Sequence, residues 1–439
     1  MKRSIAALIA IAASLAACNA GSTATNTGNP GTDDPSLPDT IELIRSPLAR
    51  DEAPDLQAAQ LASFGDSSRD FALSLYAEVK AEEGNLFVSP YSISTALAML
   101  YAGTLGETKS EMTSALHFDL PEPALHAAFN ATDLALQMRK DEIAGDEPAS
   151  GDGLQLSLAN ALFARAGQTF KEPYLDVLAE HYGTGVFATD FNASEVARKA
   201  INDWVLDKTE DRIDELLPMD SITPNVVFVL ANAIYFKASW LEPFDPADTA
   251  KATFHADAGD VEVDMMHASQ LLYYASGDGY QAVAIPYVSP SVRMLIVMPD
   301  EGRFEEIESN LDRASFDSIY NELREHDVQL QVPKFSYEAE LELKPVLESL
   351  GMELAFVEDQ ADLSGITGQP GEVWVDEVYH KAFVALDEQG TEAAASTAVV
   401  AIGDAAHPPA TFIADRPFLF MIYDDPTGQI LFIGRLLNP

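Results

Sequence analysis

The chain is short of cysteine, short of positive charge and free of any apolar run long enough to cross a bilayer. Cys18 is the only cysteine among 439 residues, so no intrachain disulfide holds the fold. Lysine and arginine together number 26 against 70 aspartates and glutamates, a net charge of −44. A surface that negative repels phosphate, which argues against nucleic acid or an anionic membrane surface as a direct partner. It reads as a solvated acidic exterior, and no acidic run is dense enough to cage a metal ion. The G-x-S-x-G and H-E-x-x-H patterns of hydrolases are missing, and the eight histidines are scattered. In "GTLGETKS" (103–110) Thr108 stands where a phosphate loop needs its second glycine, so the stretch reads as one helix ending and another starting. No motif speaks for an enzyme.

What is present begins with an address. Lys2 and Arg3 precede an apolar stretch, Ile5 to Ala17, that is too short to span a membrane and is expected to be a signal peptide over 1–17. It ends "LAAC" at Cys18, an arrangement similar to the lipobox of bacterial lipoproteins, in which the cysteine carries the lipid. The expected location is a membrane-anchored lipoprotein, periplasmic or on the cell surface, with plain secretion as the alternative. The lipid would be the only link to a membrane. The Gly-, Pro-, Ser- and Thr-rich segment that follows cannot bury enough surface to fold. A flexible linker over 18–60 and a single folded domain over 61–439 are therefore expected.

Within the domain, 47% hydrophobic residues suffice for a sizeable core. Phe71, Leu75 and Val79 recur at helical spacing, and "SISTALAMLYAG" (92–103) reads as a buried helix capped by its leading serine. Further helices are expected at 106–116, 123–139, 171–182 and 194–209, the last turning Val196, Ala200 and Trp204 inward, with a short one at 342–352. Leu154, Leu156 and Leu158 alternate as in a half-buried strand. "VVFVLANAIYFKASW" (226–240) is almost continuously apolar, as a central strand covered on both faces would be. Residues 282–287 and 293–298 read as a hairpin, 328–335 alternates again, and strands dominate from 373 onward. Helices early and strands late, with no internal repeat, indicate one large α+β domain.

Several segments together resemble one family. They are "NLFVSPYSISTALAMLYAGTLGET" (85–108), "ANAIYFKASWLEPFDP" (231–246), "VPKFSYEAELELKPVLESLGM" (332–352), "ADLSGIT" (361–367), "VYHKAFVALDEQGTEAAASTAV" (378–399) and "FIADRPFLFMIYDDPTGQILFIGRLLNP" (412–439). In this order they resemble the serpin family of protease inhibitors. The resemblance implies helices packed around a large central mixed β-sheet with smaller sheets, and an exposed reactive-centre loop near the C-terminus. It implies a monomer that needs no cofactor and no metal and is not an enzyme. A serine protease, or a cysteine protease, would cleave the loop and form an acyl-enzyme. The freed loop would then enter the main sheet as a new strand and trap the protease. A non-inhibitory serpin acting as a binding or carrier protein is the alternative.

By the same resemblance, Glu388, Gln389, Gly390, Thr391, Glu392, Ala393, Ala394, Ala395, Ser396 and Thr397 form the loop's hinge, with Gln389 where the family more often has Glu. Ser89, Ser92, Asn232 and His380 match the shutter, a polar cluster where strands must part, and Trp240 matches the breach, where the loop first enters. The residues of the loop suit the task. At strand period, Thr391, Ala393, Ala395, Thr397, Val399 and Ala401 share one face and are small or β-branched, while Glu392 lies on the other. No Lys or Pro interrupts the stretch before Pro408. The reactive bond follows Asp404 if counted from Gly390, or Ala405, before Ala406, if counted back from Pro408. A small residue there favours an elastase-like or subtilisin-like target.

Overall fold

The computed structural model describes residues 37–141, 154–391 and 407–439. In chain order the strands begin with β1 (Glu42–Ile44), β2 (Leu86–Val88), β3 (Gln155–Arg165), β4 (Val186–Thr189) and β5 (Phe228–Ser239). They continue with β6 (Ala250–Ala256), β7 (Gly259–Gly277), β8 (Tyr280–Pro286), β9 (Val292–Pro299), β10 (Arg324–Pro333) and β11 (Phe335–Glu342). The C-terminal part supplies β12 (Val375–Leu386), β13 (Gly390–Thr391), β14 (Pro409–Ile413), β15 (Phe418–Asp424) and β16 (Gln429–Leu436). The first helices are α1 (Ala58–Val79), α2 (Pro90–Tyr101), α3 (Gly106–Ala115), α4 (Ala124–Met138), α5 (Glu172–Val177) and α6 (Ser194–Lys208). Three more follow: α7 (Phe304–Ser309), α8 (Arg313–Glu322) and α9 (Lys344–Ser349).

Two sheets carry the molecule. One has seven strands in the order β1-β4-β3-β5-β13-β12-β11, and the other has nine, β14-β10-β7-β8-β9-β15-β16-β2 with β6 beside β7. Their facing sides enclose an apolar core that includes Phe236, Trp240, Ile296, Val384 and Phe432. Helix α2 is buried along its whole length. On the outer face of the seven-stranded sheet lies α6, over a cluster that mixes small side chains, Ala159 and Ala161 of β3 with Ala231 and Ala233 of β5, with Phe163 and Phe187, whose rings pack on Trp204. Strand β5 is buried at eleven of its twelve positions, which explains its unbroken apolar sequence.

Four expectations need correction. The folded chain begins well before residue 60: Ile41 is buried, and β1 pairs antiparallel with β4, Leu43 opposite Phe187, so the supposed linker supplies an edge strand. The cap of α2 is Ser89, whose hydroxyl accepts from the Ser92 amide, because Pro90 can occupy the first helical turn without losing a hydrogen bond. Val196 is 54% exposed, since the inward stripe of α6 runs Ala197, Ala200, Ile201, Trp204, Val205, one residue later. The alternating run 328–335 is broken at Lys334 into the end of β10 and the start of β11.

Candidate functional site: an entry point and a polar lock between two strands

Strands β5 and β12 run parallel and pair directly at one end, from Val375 opposite Phe228 to Ala382 opposite Ile234. Beyond that point they separate. At the far end the gap is filled by β13, with Thr391 opposite Ala238 on one side and Leu386 on the other, antiparallel to both. The sheet is thus closed at one end and opened at the other by the two residues that begin the alanine-rich stretch.

The turn leading into β13 is held from several directions. The Asp387 carboxylate accepts from the amides of Gln389 (2.8 Å) and Gly390 (3.3 Å). Three successive carbonyls are satisfied by the segment after β5: Asp387 by the Trp240 indole N–H (3.1 Å), Glu388 by the Phe244 amide and Gln389 by the Trp240 amide (both 2.8 Å). The Glu388 carboxylate takes hydrogen bonds from Lys334 Nζ (2.6 Å) and Thr249 Oγ1 (2.8 Å). Burial by itself would raise the pKa of Glu388, but these donors and its own amide bring it below the usual glutamate range. Gly390 has φ +153°, and a Cβ there would sit 2.1 Å from the Ala238 carbonyl oxygen, so no other residue fits. Thr391 is 1% exposed and its hydroxyl meets the Tyr287 hydroxyl at 2.8 Å, on the side facing the second sheet. Tyr287 stacks on Trp240 with ring centroids 4.6 Å apart.

Where the strands are still paired, a polar cluster crosses the sheet. Asn160 of β3 lies opposite Asn232 of β5, which lies opposite His380 of β12. The Ser89 amide donates to His380 Nε2 (3.3 Å), which leaves the ring proton on Nδ1, donated to the Asn232 side-chain oxygen. The Asn232 amide donates to Ser92 Oγ (2.8 Å) and to Asn160 Oδ1, and Ser92 Oγ donates to Asn160 Oδ1 (3.0 Å). Ser89 Oγ donates to the Leu431 carbonyl (2.7 Å), tying the cluster to the second sheet. Burial drives His380 down to a pKa of about 3, so it is neutral at physiological pH. A neutral, fully paired network of this kind stabilises one arrangement of the strands without a buried charge.

A family model described as "Serpin (serine protease inhibitor)" matches residues 66–439. The chain belongs to the serpin family. Among its relatives is an uncharacterized serpin-like protein of Thermococcus kodakarensis, 37% identical over 94% of this chain and 93% of the relative. The leukocyte elastase inhibitor of Sus scrofa is 35% identical over 84% of this chain and 97% of its own length. Among solved structures, Serpin48 of the insect Tenebrio molitor has a TM-score of 0.76 at 30% identity, covering 86% of this chain and 98% of that one. The serpin fold accounts for the helices and the two large sheets, and the family is one of protease inhibitors rather than enzymes.

Of the residues that the serpin resemblance singled out, Ser89, Ser92, Asn232 and His380 converge in the polar cluster. Trp240 sits against the turn of Glu388, Gln389 and Gly390, with Thr391 beside Tyr287. Cys18, Glu392 to Thr397, and Asp404, Ala405 and Ala406 lie outside the described residues. Sequence reasoning missed Asn160, Tyr287, Thr249 and Lys334. Asn160 had a signal: "LANAL" (158–162) nearly repeats "LANAI" (230–234), and the two segments pair with their asparagines opposed. The other three are ordinary surface or core residues in sequence, and only tertiary contact gives them a role.

Proposed function

We propose that this serpin is a single-use inhibitor of extracytoplasmic serine proteases, trapping the acyl-enzyme by completing the insertion that β13 has begun. The observation that carries this reading is the placement of Gly390–Thr391 as a strand between β5 and β12. Continuing that register, in which partners sum to a constant, puts Ala393 opposite Phe236 and Val384, and Ala395 opposite Ile234 and Ala382. Thr397 comes between Asn232 and His380. Full insertion therefore replaces the direct β5–β12 pairing and the His380–Asn232 hydrogen bond with pairs to the loop. The odd-numbered side chains follow Thr391 toward the second sheet, where small and β-branched groups fit without overpacking.

Export by a signal peptide over 1–17 and anchoring by a lipid on Cys18 belong to the same proposal. So do a monomeric state and a small-residue specificity that directs the serpin to elastase-like or subtilisin-like enzymes. The test is incubation with proteases of both kinds, followed by denaturing gels and mapping of the cut. A complex that survives denaturation is expected, with the bond broken after Asp404 or Ala405. Clean loop cleavage with full protease activity would overturn inhibition and favour the binding or carrier reading.

A further inference from the structure

The N-terminal chain joins the seven-stranded sheet at its closed end. A single row of partners crosses the sheet there: Glu42 of β1, Ala188 of β4, Ala164 of β3, Phe228 of β5 and Val375 of β12. Thr40 lies just past this row, its carbonyl accepting from Thr189 Oγ1 at 2.9 Å, and Leu37 packs on the apolar cluster that α6 covers. The chain that precedes Leu37 therefore leaves the domain at the closed end. Trp240 and the turn it holds are at the opposite end, a strand length away, about 37 Å for the twelve residues of β5.

An inserted loop would end at this same closed end. Partners on β5 sum to a constant in the β13 register, which puts Ala401 opposite Phe228, on the row that carries Glu42. Asp404 and Ala405 then come three and four residues further along the chain, roughly 10 to 13 Å past the row if it continues extended. The position of β13 is four strand spacings from β1, roughly 19 Å. A protease of ~250 residues has a radius of gyration of about 18 Å, which corresponds to a sphere of roughly 23 Å radius. Acylated at Asp404 or Ala405, such a body overlaps the place where the N-terminal chain leaves the domain.

We propose that residues 18–36 are a spacer: when the chain is held to a surface at Cys18, they leave room for the protease that insertion carries to this end. The proposal rests on the inhibitory reading above. Leu37 is nineteen residues beyond Cys18, a separation that any chain can stretch to at most about 65 Å. The trapped protease is about 45 Å across by the same size rule, so a molecule with this spacer can hold it between domain and surface. Without the spacer, protease and surface compete for the same space. The uncleaved loop has no such conflict, because its hinge is at the far end of the sheet.

The test couples the chain from Cys18 onward, which retains every described residue, through that cysteine to maleimide lipids in phosphatidylcholine vesicles. A second chain lacks residues 20–33, so that Leu37 is at most about 17 Å from Cys18. A third replaces 20–33 by an equal length of Gly and Ser. Each meets elastase-like and subtilisin-like proteases in solution and on vesicles, and denaturing gels give the fraction of protease trapped. In solution all three chains trap alike. On vesicles the deletion traps at least about fivefold less, because a tether too short for the geometry forbids the engagement. The native and the Gly/Ser spacers keep their solution values. Equal trapping by the deletion on vesicles, a deficit already present in solution, or a loss with either full-length spacer overturns the spacer. Absence of trapping by every chain in solution overturns the inhibitory reading, and the spacer with it.

Discussion

At the scale of single residues, the polar cluster depends on a histidine that is uncharged at physiological pH. The unfolded imidazole titrates near 6.5 while native His380 titrates at about 3. Between those values the unfolded chain binds a proton that the native site refuses, so this group's contribution to stability rises with pH and is lost progressively below about 6.5. Asparagine at this position has no such loss. The stability advantage of the native protein over His380→Asn should therefore shrink by about 2 kcal/mol between pH 7 and pH 5. Urea unfolding at both pH values measures it, and a constant difference would show that His380 does not titrate this way. The cluster was legible in part. Ser89, Ser92, Asn232 and His380 could be matched to a family pattern, but Asn160 could not, because its importance comes from register across β3 and β5.

Among elements, the two decisive strands were the easiest and the hardest to read. An almost unbroken apolar run announces β5, because a strand buried on both faces has no polar side. Nothing local announces β13, two residues whose strand character exists only because Ala238 and Leu386 flank them. The β6–β7 hairpin was not anticipated, since its exposed positions mix charged side chains with apolar ones such as Val261 and Leu271, which leaves its apolar alternation weak. The short helices α7 and α8 were missed for a similar reason, each burying only one or two side chains. The register of β13 makes a prediction at this scale. Thr397→Glu would bring a carboxylate beside Asn232 and neutral His380 in the inserted strand, a burial that costs several kcal/mol. The uncleaved protein should unfold at an unchanged temperature, while the fraction of protease held in a denaturation-stable complex falls at least about tenfold. Undiminished trapping would mean that the loop enters in another register.

For the molecule as a whole, the seven-stranded sheet is closed at the His380 end and opened at the Trp240 end. On the proposed mechanism, cleavage of the loop should let a further strand enter. About ten added backbone hydrogen bonds at roughly 1 kcal/mol each, set against an unfolding entropy of about 0.8 kcal/mol/K for a domain of this size, raise the melting temperature by roughly 12 °C. Calorimetry before and after limited proteolysis within 403–407 reads this directly, and an unchanged melting temperature would mean that the loop stays outside.

By itself the sequence determined the class of the molecule. Its helical and strand periodicities, its buried runs and its closing segments reflect local propensity and burial, which each residue carries with it. The expectation that 390–402 can become a strand likewise rests on the sequence alone, because small and β-branched side chains without Lys or Pro are a local property. The tertiary structure decided where that strand starts, which carbonyls hold its turn, and which asparagine on β3 completes the lock. It also drew residues 41–44, part of an expected linker, onto the sheet edge. These are matters of long-range pairing. A backbone edge or a buried amide has no preference of its own until folding supplies the partner across from it.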